Sequence, residues 1–267
     1  MAVLSVDLAC RRWSDLGVVV LNRVRGQSGP AAAGTIVACE IVPLGAPGLD
    51  PESDRGPVDA EILAGRLNHL CAVRGIGIIM LDGPQAWKSR ANGVAHARLS
   101  ERQLNTAAKT GLPGMVKPVT YRRFCEFCMD VYDAFCRRGW RRLDTNAQLP
   151  KTAPPAHRVL VESYPNAAWR SLGLSPLPSK RRAKVSDLAA AYAALREVIP
   201  FTTNRPPNHD QLQAIVAGLA GLALEDSDPA AMRIVGAPPH REEGHWREGF
   251  IVLPVPPRRS IDLRWLN

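Results

Sequence analysis

Four carboxylates stand at positions from which a folded chain can gather them. Asp7 lies inside the apolar run Ala2–Cys10 (AVLSVDLAC), Asp82 follows Ile76–Leu81 (IGIIML), Glu162 closes the run VLVE, and Asp210 sits in the first turn of a helix with an apolar face. A buried carboxylate without a partner costs several kcal/mol. Asp7 therefore calls for a chain cation, a helix end or a bound metal. Sites in open α/β sheets form at the carboxyl ends of strands, which is where Asp82 and Glu162 fall. At about 4 Å and an effective dielectric near 20, each pair of such acids repels by roughly 4 kcal/mol. Some must protonate, or divalent ions must neutralise them. Two Mg²⁺ or Mn²⁺ ions balance the four charges, and oxygen-only ligands favour these metals over zinc. Such an ion pair, about 4 Å apart, suits phosphodiester hydrolysis. Each acid also has an ordinary reading. Asp210 complements a helix dipole, Asp82 before Gly-Pro is a turn residue, and Glu162 pairs with Arg170 or Lys180.

The elements that must position these acids follow from periodicity. Ala2–Cys10, Leu16–Val24 and Gly34–Val42 read as three β-rich strands joined by short connections, hence an antiparallel meander. Residues 45–57 form a Pro/Gly-rich loop. Helical spacing of Val58, Ile62, Leu63, Leu67, Leu70 and Cys71 predicts a helix over Val58–Arg74. A crossover of this kind places the Ile76–Leu81 strand parallel to the first. From about 85 to 156 the texture changes to a helical insertion, with Arg98–Thr110 and the strongly amphipathic Tyr121–Cys136 as helices and a Pro/Thr/Ala-rich linker over 149–156. Beyond the VLVE strand come helices Val185–Val198 and His209–Leu224, separated by a loop over Thr202–Asn208, and a late edge strand, Gly249–Pro254. Ala214, Ala217, Gly218 and Gly221 would let the His209–Leu224 helix pack closely on the sheet.

Composition bounds the alternatives. The chain has 267 residues, 46% hydrophobic and 22% charged, a globular balance that reads as a single domain carrying the insertion. Its net charge of +9 suits a polyanion partner without requiring one. No apolar run approaches the roughly 18 residues of a membrane span, and no basic-then-apolar leader opens the sequence. Six scattered cysteines in apolar contexts read as reduced core residues, so a cytoplasmic location is expected. Cys125 and Cys128 continue one apolar helix face, with no second ligand pair at zinc spacing. Neither a Gly-rich phosphate loop nor a Gly-x-Ser-x-Gly elbow is present. Arg122, Arg123, Arg181, Arg182 and Lys184 belong to basic clusters that are natural phosphate contacts if the acids cut nucleic acid. His209 flanks Asp210 as a proton carrier. Trp87, Trp140 and Trp169 offer either base stacking or core packing, packing being the better fit.

SVDLA, LDGPQ, RLSERQL, VESYPNAAWRSLG with a following SK, HDQLQAIVAGLAG and GFIVLP, in this order, resemble the domain of unknown function family 429. That family consists of predicted RNase H-like nucleases. The resemblance implies a five-stranded mixed sheet of order 3-2-1-4-5, strand 2 antiparallel, flanked by helices, with the insertion between strands 4 and 5. It implies Asp7, Asp82, Glu162 and Asp210 as catalytic metal ligands, Lys180 as a catalytic residue reaching a scissile phosphate, and DNA or RNA as partner. Where family members often carry a second Asp one turn after the first in the last helix, this chain has Gln213, which brings an amide oxygen but no charge. Two other classes stay open beside a metal-dependent nuclease. One is a catalytically weak nucleic-acid-binding or regulatory protein, favoured by Gln213. The other is a nucleotide-binding phosphotransferase or ATPase, disfavoured by the missing phosphate loop.

Overall fold

The computed structural model describes residues 2–25, 35–43, 56–144 and 158–256. Most of the proposed 45–57 loop and the whole 149–156 linker lie outside them. The chain runs β1 (Ala2–Asp7), β2 (Gly17–Arg25), β3 (Thr35–Ile41), α1 (Ala60–Arg74), β4 (Ile78–Asp82), α2 (Leu99–Leu104), β5 (Lys109–Thr110), β6 (Val116–Lys117), α3 (Arg122–Arg137) and β7 (Arg141–Arg142). It continues with β8 (Val159–Ser163), α4 (Pro165–Ser171), α5 (Val185–Val198), β9 (Phe201–Thr203), α6 (His209–Glu225), β10 (Met232–Glu242) and β11 (His245–Pro254).

A nine-stranded mixed sheet organises the molecule, in the order β10-β11-β8-β4-β1-β2-β3-β9, with β7 also paired to β8. The five strands expected from the sequence are the middle of this sheet, in the expected order and with β2 antiparallel to both neighbours. β1 and β4 run parallel, as do β4 and β8. The five-strand count is corrected by four additions. β11 is interior rather than an edge, because β10 covers its outer side. β10 contains Gly236, Pro238 and Pro239, which disguise it as a loop, and an outer strand is where a sheet tolerates proline. β9 is a three-residue strip inside the presumed 202–208 loop. The helix expected over Arg98–Thr110 is only the single turn-and-a-half of α2, ending on Asn105 in the left-handed region, and its tail becomes half of the β5–β6 hairpin.

Strand alternation divides the core. Val3, Met80 and Val161 face α4, α5 and α6, whereas Leu4, Val6, Leu81 and Leu160 face α1 and α3. The sheet is thus apolar on both sides, which explains why β1 reads as a continuous apolar run. The amphipathic stripe of α3 buries Cys128, Val131, Tyr132 and Phe135 beside Leu63 and Leu67 of α1.

Close approach of α6 to the sheet depends on missing side chains. A Cβ on Gly218 would lie 2.8 Å from Ser5 Cβ, and one on Gly221 would lie 2.9 Å from Met80 Cγ. Gly17, the strand partner of Asp7, leaves room for the backbone carbonyl of Asp210 itself. Gly17→Ala is therefore expected to push the start of α6 away from the ends of β1 and β4. The expected cost is about 2–3 kcal/mol, read in denaturant melts. Wild-type stability with an alanine there would refute this packing.

Candidate functional site

Asp7 ends β1 and Asp82 ends β4, and the two are directly paired in the parallel register. The next strand continues the row: Asp82 pairs with Ser163. All three point to the α6 side, where the first turn of α6 brings the buried Asp210. Asn208 caps that turn by accepting from the Gln211 N–H. The carboxyls of Asp7 and Asp82 lie within hydrogen-bonding reach of each other.

Electrostatics at this row are strained. Burial pushes the Asp7 carboxyl well above its ordinary range, and the charges of Asp82 and Asp210 push it further. Asp82 is raised to about 7, chiefly by burial, with Glu162 adding to it and the bond to Asp7 opposing it. Two such neighbours hold one proton between them at neutral pH. Beside them Ser163, 2% exposed, has a buried hydroxyl with no hydrogen-bond partner among the described residues.

Lys180 enters this corner from the 172–184 connection. Its ammonium bonds Asp210 and, at 2.8 Å, Asp15 Oδ1. Desolvation would lower the lysine's pKa, but these two carboxylates outweigh it and raise it. Burial pushes Asp15 up, yet Lys180 and Arg12 outweigh it and hold that carboxyl below its usual range. Lys180 is thus a built-in counter-ion of the acids. Lys180→Ala is expected to tighten Mn²⁺ binding about tenfold by removing a competing charge, measured by calorimetry. Unchanged affinity would mean the ammonium does not face the metal position.

Glu162 is not brought into the group. It pairs with Leu81, not Asp82, so alternation turns it to the opposite face of the sheet. There Arg98, 1% exposed, grips both its oxygens, at 2.7 and 2.6 Å, and the Gln85 N–H donates to it at 3.1 Å. Neither Arg170 nor Lys180 is its partner. Arg98 also donates to Glu101 at 3.1 Å and to Thr110 at 3.2 Å. Gln213 is likewise engaged elsewhere, accepting from the Trp169 indole N–H at 2.8 Å. His209 lies beside Asp210, with Nδ1 3.2 Å from its carboxylate and Nε2 3.0 Å from the Pro178 carbonyl.

Arg122, Arg123, Arg181, Arg182 and Lys184 are all exposed, and Arg122 pairs with Glu126. The three tryptophans are core residues at 9% exposure or less. The thiol of Cys125 is pushed up to about 12 by burial, and that of Cys128 also rises, which keeps both protonated and unsuited to zinc. Sequence reasoning missed Asp15 and Arg98. Asp15 is delivered by the short 3₁₀ turn Trp13–Asp15, while Arg98 and Glu101 were visible as the i, i+3 pair of RLSERQL.

Among the described residues no three His, Cys, Asp or Glu side chains stand close enough to enclose a metal. The Asp210 carboxylate is bonded to Lys180. The residues still fit one hard divalent ion. Mg²⁺ commonly binds through one or two carboxylates and keeps several waters. Asp7, Asp82 and the orphaned Ser163 hydroxyl present that kind of oxygen edge, whereas a second ion lacks its carboxylate because Arg98 holds Glu162. A cleft of about 470 Å³ opens over the same strand ends, lined by Asp82, Ser163, Asn166, Tyr121 and Phe124 among others.

No family model matches the chain, and no curated protein matches it. The family resemblance therefore rests on the motifs alone. Among solved structures the Thermus thermophilus RuvC structure matches at 13% identity over 81% of this chain and 90% of that one, with a TM-score of 0.34. A superposition that loose transfers neither fold nor activity. No helix among the described residues is long and apolar enough to cross a membrane.

Proposed function

We propose that the chain is an RNase H-like hydrolase of nucleic-acid phosphodiesters that depends on one bound divalent ion, Mg²⁺ or Mn²⁺. The observation that carries this reading is the Asp7–Asp82 pair, two carboxyls side by side at the ends of adjacent parallel strands. The strand order β3-β2-β1-β4-β8, with only β2 reversed, supports the fold assignment. A bound divalent ion would offset charge on a phosphoryl oxygen and lower the pKa of a coordinated water. Asp7 and Asp82 would hold it, Ser163 would donate its hydroxyl to an oxygen in the same row, and Asp210 would become a third ligand once Lys180 lets go. Lys180, freed, would be available to an incoming phosphate. The exposed Arg122, Arg123, Arg181, Arg182 and Lys184 would give salt-dependent backbone binding. The test is incubation with labelled single- and double-stranded DNA and RNA in Mn²⁺, Mg²⁺ and EDTA. Metal-dependent cleavage supports the reading, and its absence on every substrate refutes it.

Engagement of Gln213 by Trp169 and of Asp210 by Lys180 favours a second reading, a nucleic-acid-binding protein with little turnover. Tight, salt-sensitive binding without cleavage, unchanged by Lys180→Ala, would select it.

A further inference from the structure

The cleft over the ends of β1, β4 and β8 has two unlike sides. Asp82, Ser163, Glu162 and Arg98 lie toward its floor at the sheet, while Tyr121, Phe124, Ala107 and Ala108 line it from the insertion. Its volume of about 470 Å³ falls in the range of roughly 300–1,000 Å³ that takes small organic ligands. Part of its polar lining is already committed: Glu162 and Glu101 are satisfied by Arg98, and Thr106 bonds the Ala108 carbonyl. Asn166 and Arg11 are different. Both line the cleft, and neither side chain has a hydrogen bond or ion pair among the described residues.

A second observation concerns the lip. Seven large apolar side chains are exposed among the described residues, and three of them, Met115, Val119 and Tyr121, fall within one stretch of the insertion. Tyr121 is 40% exposed, and Arg122 and Arg123, both exposed, follow it directly. An exposed ring beside exposed guanidinium groups, one paired with Glu126, at the mouth of an apolar cleft is the chemistry of single-strand recognition. Bases stack on the aromatic face while cations track the phosphates. A duplex cannot offer a base to such a cleft without unstacking it.

We propose that this cleft is a subsite for one unstacked base of a single-stranded nucleic acid, stacked on Tyr121 against the Phe124 wall, with Asn166 bonding its edge and Arg11, Arg122 and Arg123 holding the flanking phosphates. The proposal rests on the nucleic-acid reading of the carboxylate row. It adds the substrate class, a single strand or the frayed end of a duplex, and the side from which that strand reaches Asp82.

The probe is a short single-stranded oligonucleotide carrying one 2-aminopurine, bound to the Asp7→Asn protein in Mn²⁺ so that the strand stays intact. Fluorescence should be quenched on binding. Tyr121→Ala should abolish the quench and weaken affinity about tenfold, and Tyr121→Phe should restore both. Asn166→Ala should weaken binding without changing the melting temperature, since its amide holds nothing in the fold. Unchanged quench and affinity in both alanine variants would overturn the subsite, as would equal affinity for a fully paired duplex, or no binding of any strand. Wild-type cleavage of nucleic acid together with unaffected alanine variants would overturn the subsite and leave the hydrolase reading standing. Tyr121-dependent quenching with no cleavage by the wild type would do the reverse, supporting the subsite alone.

Discussion

Asp7→Asn and Asp82→Asn are each expected to lower metal-dependent turnover by about a thousandfold while making the metal-free protein more stable above neutral pH. The activity loss corresponds to about 4 kcal/mol of transition-state charge stabilisation that a neutral amide cannot anchor. The stability gain follows from the raised pKa values. Both carboxyls titrate above their ordinary value of 3.8 in the folded state, Asp82 at about 7. The folded protein therefore holds protons that the unfolded chain has released. Stability falls as pH rises from about 4 through about 7 while Asp82 ionises, and falls further where Asp7 does. The Asp82 part of the swing is on the order of 4 kcal/mol, or about 8–16 °C in melting temperature for a chain of this size. Asp82→Asn should flatten it, because it removes the Asp82 titration and the charge that helps to raise Asp7. Mn²⁺ added to the wild type should also flatten it, since a cation replaces the shared proton. Melts from pH 5 to 8 in EDTA and in Mn²⁺, beside the cleavage assay, check all of this. A wild-type profile indistinguishable from that of Asp82→Asn would remove the shared proton from the account.

Why the sequence could place Asp7, Asp82 and Asp210 in one corner, and put Glu162 with them where the structure turns it to the opposite face, is a matter of parity. A strand-helix-strand crossover fixes that β1, β4 and β8 lie parallel with their carboxyl ends together, and it makes any acid at those ends visible. It does not fix the register between them. One step decides which face a side chain takes. Ser163 and not Glu162 turned out to share the row with Asp82, and Glu162 fell on the side where α2 supplies Arg98. Ser163 carries no charge and so gave no signal. Asp15 and Lys180 were joined across 165 residues by an irregular turn and an irregular connection, neither of which has a period to read. The same holds for the sheet's margins. The middle five strands are apolar on both faces and announce themselves, whereas β10 is interrupted by Gly and Pro and β9 is too short for alternation to register.

The reassignment of Glu162 makes the sharpest demand on stability. Arg98→Met is expected to destabilise the protein by about 3–5 kcal/mol, because it strands Glu162 and Glu101, at 3% and 2% exposure, without the cation that pairs with both among the described residues. Glu162→Gln should cost less, about 1–3 kcal/mol, since Arg98 keeps Glu101 and the amide still accepts one bond. Burial pushes the Glu162 carboxyl up, and Arg98 together with the Gln85 N–H pulls it back. The two oxygens are thus already occupied before any metal arrives. Mn²⁺ affinity of Glu162→Gln should accordingly match the wild type within about twofold, well under the tenfold that 1.4 kcal/mol represents. Denaturant melts of both variants, with calorimetric titration of Mn²⁺ into Glu162→Gln, decide between the two roles. Unchanged stability with lost metal binding would return Glu162 to the ligand set that the sequence suggested. A large loss of stability with intact binding would show that the acid at the end of β8 ties the insertion to the sheet and leaves the metal to its neighbours.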